Sequence, residues 1–322
     1  MERRSFLLTA VAAATSLGAP SLRAQGTSTI SLVMPLGPGS GADTTARLLA
    51  DYMGRDLKRS VIVENKPGAD TMIAAQYVLN YPADGTRVLF ISPTTAVLLP
   101  LVNKKLGFDP ATQLEPIMLT LRNGTALIVK AGRYKSLAEL VADAKARPGK
   151  ISIATYAGHY YKLISLLMQR DLGIELNDVQ YKSPTPAIND VIGGTVDAML
   201  IDAGAAREFY LAGRINMLAL THARRPEMFN EVPTFEELGY PRVTSYIWTG
   251  FAVKTGTPPE IIQRLSQSLS AALQSKLHLD HLAKQKSGSE IMAYDPERAK
   301  QYIQQESKRF ADLIANTGYT AE

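Results

Sequence analysis

Short apolar runs alternate with stretches of helical spacing along most of the chain, the pattern of an α/β protein with a largely parallel sheet. Residues 30–34 predict a strand, followed by the loop PLGPGSGAD and a helix with Ala46, Leu49, Ala50, Met53 and Leu57 on one face. A second strand at 61–63 ends in ENKPGAD. A helix over 71–80 follows, with Ile73, Ala74, Tyr77 and Val78 turned inward, and then a strand at 88–91. Residues 92–116 read as irregular. The β pattern restarts at 126–129, Ser136 caps a helix carrying Leu137, Leu140, Val141 and Ala144, and 151–154 is again a strand. Residues 190–192 and 196–201 flank the turn GGT, 217–220 is a strand, and 248–253 is expected to be the last. Two helices finish the chain, the second opened by Asp295-Pro296. Glu306 interrupts its apolar stripe and reads as a carboxylate reaching out to solvent.

A length of 322 residues exceeds what one hydrophobic core usually organises, so two lobes are expected. With 46% hydrophobic and 20% charged residues the composition is that of a globular chain, not a disordered or fibrous one. Cysteine is absent, which removes disulfide, thiol and lipid-anchor chemistry together. The N-terminus, MERRSFLLTAVAAATSLGAPSLRAQ, has a positive start, a short apolar run and Ala24 as a small residue for cleavage, so residues 1–24 are expected to be an export signal. Its paired arginines fit a twin-arginine leader or an ordinary secretory one. Cleavage there removes Arg3, Arg4 and Arg23 against Glu2, and the formal charge falls from +5 to +3. No later run is long enough to span a membrane, and no basic block suggests nucleic acid. The expected product is soluble and periplasmic.

Three strand-to-helix loops carry candidate chemistry. Gly37-Pro38-Gly39-Ser40-Gly41-Ala42-Asp43 exposes backbone N–H groups at a helix start and suits a phosphate, sulfate or carboxylate. The same residues read alternatively as a tight turn with Asp43 as its cap, or as a Gly37-x-Gly39-x-x-Ala42 dinucleotide fingerprint with Glu64 as the ribose acid. The second loop runs Thr155-Tyr156-Ala157-Gly158-His159-Tyr160-Tyr161 and offers flat walls and hydrogen bonds to an organic carboxylate, unless its tyrosines pack the core. In the third, around Tyr181-Lys182-Ser183, Lys182 balances an anion or is solvated. No GxSxG, HExxH or informative carboxylate pair supports catalysis. His278 and His281 stand three apart on what reads as a solvated helix face, so no metal or cofactor is expected.

In order, these segments resemble the solute receptors of tripartite tricarboxylate transporters, the Bug proteins. Their PFAPGGGxD motif corresponds to Pro35 through Asp43 with Ala46-Arg47, VVVENRPGAGG to VIVENKPGAD, and PDGYTLL to ADGTRVL. SLAELVADAKARPGKISIAT, YKSPTPAINDVIGGTVDAML, LALTHARRPEMFNEVPTFEELGYP and WTGFAVKTGTPPEIIQRL continue the match over essentially the whole exported chain. The resemblance implies a two-lobed, type II-like periplasmic binding fold with a ligand cleft between the lobes. Lobe I is expected to comprise 25–124 plus 247–322 and lobe II 125–246, with crossings near Thr125 and Tyr246. It implies a monomeric receptor, not an enzyme, that passes a small carboxylate to membrane permease subunits. A sensing module for a signalling partner and an exported dinucleotide enzyme are the alternatives.

The positions that match the family's ligand clamp are Leu36, Gly39, Gly41 and Asp43, then Ser92 and Thr94, and in the second lobe Thr155, Gly158, Lys182 and Asp202. Ser40, Tyr156, His159 and Tyr160 join them as departures from the pattern. Leu36 stands for a phenylalanine and Ser40 for a glycine. The second-lobe loop is one residue shorter and carries His159, Tyr160 and Tyr161 where small residues are usual, Ser183 replaces a glycine, and Leu99 an asparagine. These changes imply a tighter, more aromatic pocket and an aromatic or otherwise bulky carboxylate.

Overall fold

The computed structural model describes residues 28–103, 105–156, 159–181, 183–317 and 319. The expected export signal, Gly158 and Lys182 therefore lie outside the described residues. Strand β1 (Ile30–Met34), buried along its full length, leads through the glycine-rich loop into α1 (Gly41–Leu57). The strand β2 (Val61–Asn65), helix α2 (Met72–Leu79) and strand β3 (Arg87–Ile91) follow, with β2 and β3 parallel to β1 on its two sides. Ala74, Ala75 and Val78 form the buried stripe of α2, whereas Ile73, expected inward, is exposed. The stretch expected to be irregular contains a π-helical turn (Thr94–Leu98), α3 (Leu99–Val102) and α4 (Pro110–Gln113).

One 17-residue strand, β4 (Leu114–Lys130), comes next. Beyond it lie α5 (Leu137–Ala146), β5 (Ser152–Tyr156), α6 (His159–Leu172), β6 (Asn177–Tyr181), α7 (Pro184–Gly193), β7 (Ala198–Asp202), α8 (Ala203–Leu211) and β8 (Ile215–Leu220). The segment before the GGT turn is the last turn of α7. Gly194 caps it at φ +86°, a conformation that glycine adopts without strain. The chain returns through β9 (Tyr246–Lys254), α9 (Pro259–Leu273), α10 (Lys276–Gln285), β10 (Glu290–Tyr294) and α11 (Pro296–Thr317). Thus β9 is not the last strand: β10 follows it and pairs antiparallel with β4.

The strands run in the order β2-β1-β3-β9-β4-β7-β5-β6, with β8 and β10 also on β4. Partner exchange along β4 makes two lobes. From Leu114 to Gly124 it pairs with β9, and from Thr125 to Val129 it lies between β7 and β8. Gly124 faces Tyr246, while Thr221 N–H bonds Thr125 O and Ser245 N–H bonds Thr221 O, so β4 changes partner at the level where β9 begins. A cluster around Leu32, Met53, Phe251 and Leu269 fills one face of the first lobe. A larger cluster runs from Val33 and Leu89 through Trp248 and Phe310 into Ile128, Ile153 and Met199. Helix α11 bridges the lobes: the Phe310 and Tyr160 rings lie 6.1 Å apart, and Arg309 Nη2 donates to Thr244 O at 2.6 Å.

Two polar residues expected in solvent are buried. Glu306 lies inside, 3.4 Å from Arg309 Nη1, because α11 packs on two lobes and leaves less of its circumference wet. Burial raises its carboxyl above the ordinary value against the pull of Arg309. His278 is likewise buried, its Nδ1 2.8 Å from Leu273 O at the end of α9.

Candidate functional site

The first loop is organised by a carboxylate that points inward. Ser40, not Asp43, is the N-cap of α1: its Oγ accepts from Asp43 N–H at 3.1 Å. Asp43 is 2% exposed and accepts from Gly39 N–H at 2.9 Å, Arg47 Nε at 3.0 Å, Arg47 Nη2 at 3.1 Å and Asn65 Nδ2 at 2.8 Å. Asn65 Nδ2 also reaches Leu36 O at 2.9 Å, tying β2 to the loop. Burial alone would raise the Asp43 carboxyl; the bonds from Arg47, Asn65 and Gly39 outweigh it and hold the group at about 2. Asp43, expected at the ligand, instead holds the loop whose Gly39 sits at φ +85°. Leu36, Gly39 and Gly41 are exposed on that loop and Ser40 is half-buried.

Across from α1 stands the N-terminus of α8. Asp202 caps it, Oδ1 accepting from Ala205 N–H at 3.0 Å. Desolvation raises the Asp202 carboxyl to about 6, with the N–H groups of Ala205 and Gly204 pulling the other way. Between the two helix ends lies a cavity of about 450 Å³. Gly41, Ala42 and Thr45 of α1 line one side, and Asp202, Gly204 and Ala205 the other. Its floor is Leu49, Phe90, Leu121 and Phe251, with Phe90 and Phe251 edge to face at 5.8 Å. Thr120, Asn123 and Thr249 from the crossing strands, and Gln285, Ser287 and Ser289 from the loop after α10, complete it. A Cβ on Gly204 would come within 2.6 Å of Ser287 Cβ, so only glycine lets α8 meet that loop.

Of the expected residues, Gly41 and Asp202 meet in this cavity. Ser92 and Thr94 are half-buried at the start of the π-helical turn, where the neighbouring Thr95 Oγ1 bonds Thr71 Oγ1 at 2.8 Å. Thr155 is buried in β5. Tyr156 stacks on Tyr161 at 4.2 Å with their hydroxyls 2.8 Å apart. Burial pushes both phenols well above their ordinary value. Tyr160 turns away from the cavity into the core against Phe310 and Tyr161, and His159 Nδ1 lies 2.7 Å from Tyr319 OH. The aromatic surface of the cavity therefore comes from Phe90 and Phe251, not from Tyr160. Thr120 and Thr249, joined at 2.9 Å through their Oγ1 atoms, escaped the sequence reading. Their signal was a threonine within the apolar runs Ile117–Leu121 and Ile247–Val253.

Glu64, the acid a dinucleotide site would need, accepts from Tyr77 OH at 2.9 Å and pairs with Lys66 at 3.0 Å. Among the described residues no three His, Cys, Asp or Glu side chains gather as metal ligands. No described helix is long and apolar enough to cross a membrane.

Two α/β lobes joined at a partner exchange, with opposed helix N-termini across a cavity between them, define the solute-binding receptor class. The chain belongs to the tripartite tricarboxylate transporter family receptors, whose family model matches residues 45–319. It is 31% identical over 297 residues to BugT of Bordetella pertussis, covering 90% of this chain and 89% of that one. Among solved structures it is similar to R. palustris Rpa4515 with adipate, with TM-score 0.79 and 28% identity over 90% of this chain and 97% of the other. The periplasmic binding protein BugD gives TM-score 0.78 and 28% identity over 91% and 99%.

Proposed function

We propose that this chain is exported to the periplasm, captures one small organic carboxylate between its lobes, and delivers it as a monomer to the permease subunits of a tripartite tricarboxylate-type transporter without transforming it. The observation that carries the reading is the cavity between the N-termini of α1 and α8, where the backbone N–H groups and helix dipole of α1 at Gly41 and Ala42 favour an anion. A relative solved with adipate supports the carboxylate. The proposed lobes are 25–124 plus 247–322 and 125–246, hinged where β4 changes partner between Gly124 and Thr125. Of the expected positions, Gly41 and Asp202 contact the ligand in the cavity. The Phe90–Phe251 floor supports a ligand with an apolar, bulky body.

A thermal-shift screen of mono-, di- and aromatic carboxylates tests this reading. A ligand at a hundred times its Kd adds about 2.7 kcal/mol, which raises the melting temperature by roughly 4 °C in a chain of this size. Stabilisation by a nucleotide and by no carboxylate would overturn it.

A further inference from the structure

Residues 286–289 belong to the first lobe yet rest on the second. Helix α10 ends at Gln285, Lys286 follows at φ +46° and Gly288 at φ +76°, and β10 then rejoins the first-lobe half of β4 with Glu290 opposite Arg122. Between these ends the segment touches the second lobe at two places. Ser287 packs on Gly204 at the start of α8 so closely that a Cβ on Gly204 would also lie 2.7 Å from Ser287 Cα. Gly288 is buried beside Pro226 and Met228: a Cβ on it would stand 3.5 Å from Pro226 Cβ and from Met228 Sδ. The inner side of the same stretch, Gln285, Ser287 and Ser289, lines the cavity.

Its hydrogen bonds stay within the first lobe. Lys286 N–H bonds Leu282 O at 3.2 Å, Ser287 Oγ and Ser289 Oγ lie 2.5 Å apart, and Gln285 Nε2 is 2.8 Å from His281 Nε2. Among the described residues no hydrogen bond joins 286–289 to the second lobe. The contact is van der Waals surface alone, which separates without orphaning a buried polar group.

We infer that residues 285–289 form a clasp that governs entry to and release from the interlobe cavity: seated on Gly204, Pro226 and Met228 it holds the cargo in, and unseated it lets the cargo pass. This rests on the receptor reading above and adds the element that times its exchange. A solute filling the cavity behind the clasp favours the seated state, and the seated clasp slows that solute's departure.

The chain has no cysteine, so Pro226→Cys with Gly288→Cys offers a single possible bridge. The 3.5 Å between their Cβ positions fits a disulfide, for which about 3.5–4.5 Å is usual. Any strain at position 288 is common to the oxidised and reduced forms, so the comparison is of one protein with itself. Radiolabelled adipate is the probe, replaced by the carboxylate with the largest thermal shift if adipate gives none. Oxidising the loaded protein is expected to slow release at least tenfold, oxidising the empty protein to slow uptake at least tenfold, and a reductant to restore both. Gly204→Ala, which keeps the clasp from seating, is expected to speed release at least tenfold. The melting temperature of the empty variant should stay within about 2 °C of the parent, since alanine suits α8 better than glycine and the clasp is free to swing away. If bridging changes neither rate, or Gly204→Ala lowers the melting temperature and leaves release unchanged, the segment is packing only; the clasp fails and the carboxylate receptor stands. If neither adipate nor any other carboxylate binds, the receptor reading itself fails, and this inference with it.

Discussion

Replacing Asp43 by Ala removes the group from which the first cleft loop hangs. The carboxylate takes hydrogen bonds from Gly39 N–H, Asn65 Nδ2 and both arms of Arg47. The Arg47 side chain is 50% exposed and reorients into water at little cost, whereas the Asp43 side chain is 3% exposed. The loss is therefore chiefly the Gly39 N–H and the Asn65 amide, together about 2–4 kcal/mol for bonds to a charged acceptor. In a chain of this length that lowers the melting temperature by roughly 3–6 °C. Asn at the same position keeps an acceptor but not the charge and should fall between. The effect is also pH-dependent with a definite sign. Because the folded carboxyl sits at about 2 against an ordinary 3.8, its contribution is complete above that ordinary value and vanishes as pH falls toward 2. The gap between parent and variant should close over that window. Thermal denaturation between pH 2 and 8 measures it, and calorimetry on the best ligand should show at least a tenfold loss of affinity as Gly39 and Gly41 lose their fixed geometry. A variant that melts within about 1 °C of the parent and binds equally well would refute the role assigned to Asp43.

Three further outcomes follow from the hinge and the second lobe. His222, fully buried against Gly124 N–H at 3.2 Å, is held by burial at about 4, against an ordinary 6.5. Below pH 6.5 the unfolded chain takes the proton first, so this residue should cost about 1.4 kcal/mol per pH unit down to about 4. His222→Gln should flatten the denaturation profile there, and equal slopes would contradict the assignment. Gly124→Ala places a Cβ 2.3 Å from His222 Nδ1 and should destabilise by about 1–3 kcal/mol, with much of the loss recovered when His222 is also Ala. Loss of stability unchanged in the double variant would separate the two residues. Tyr160→Phe should leave carboxylate affinity within about twofold, since the ring lies in the core against Phe310. A tenfold loss would return Tyr160 to the cleft.

The period-2 and period-3.6 patterns carried most of the fold: β1, α1, β2, β3, α5 and α9 all lie where their apolar spacing puts them. What escaped was set by tertiary context. The first half of β4 includes Thr120, Arg122, Asn123 and Gly124, polar and flexible residues where no strand was expected, yet β9 and β10 satisfy its backbone on both edges. Strand β6 alternates too weakly to stand out, and β10 is a short edge. For the site, glycine spacing located the α1 N-terminus, and Asp202 was recognised from its place in a family pattern. The inward turn of Asp43 was not legible, because it depends on Asn65 arriving from β2. Nor was the burial of Tyr160, which depends on α11 folding back across both lobes. Both are contacts between residues far apart in sequence, to which local periodicity is blind.

The central claim is that the interlobe cavity holds a carboxylate and returns it unaltered. Calorimetry of the purified chain with the carboxylate that shifts its melting temperature most, followed by mass analysis of the recovered ligand, tests it most directly. The account predicts one ligand per chain, saturable binding weakened by Asp43→Ala, and a ligand mass unchanged after prolonged incubation. Binding by no carboxylate, or recovery of a chemically altered product, would contradict it.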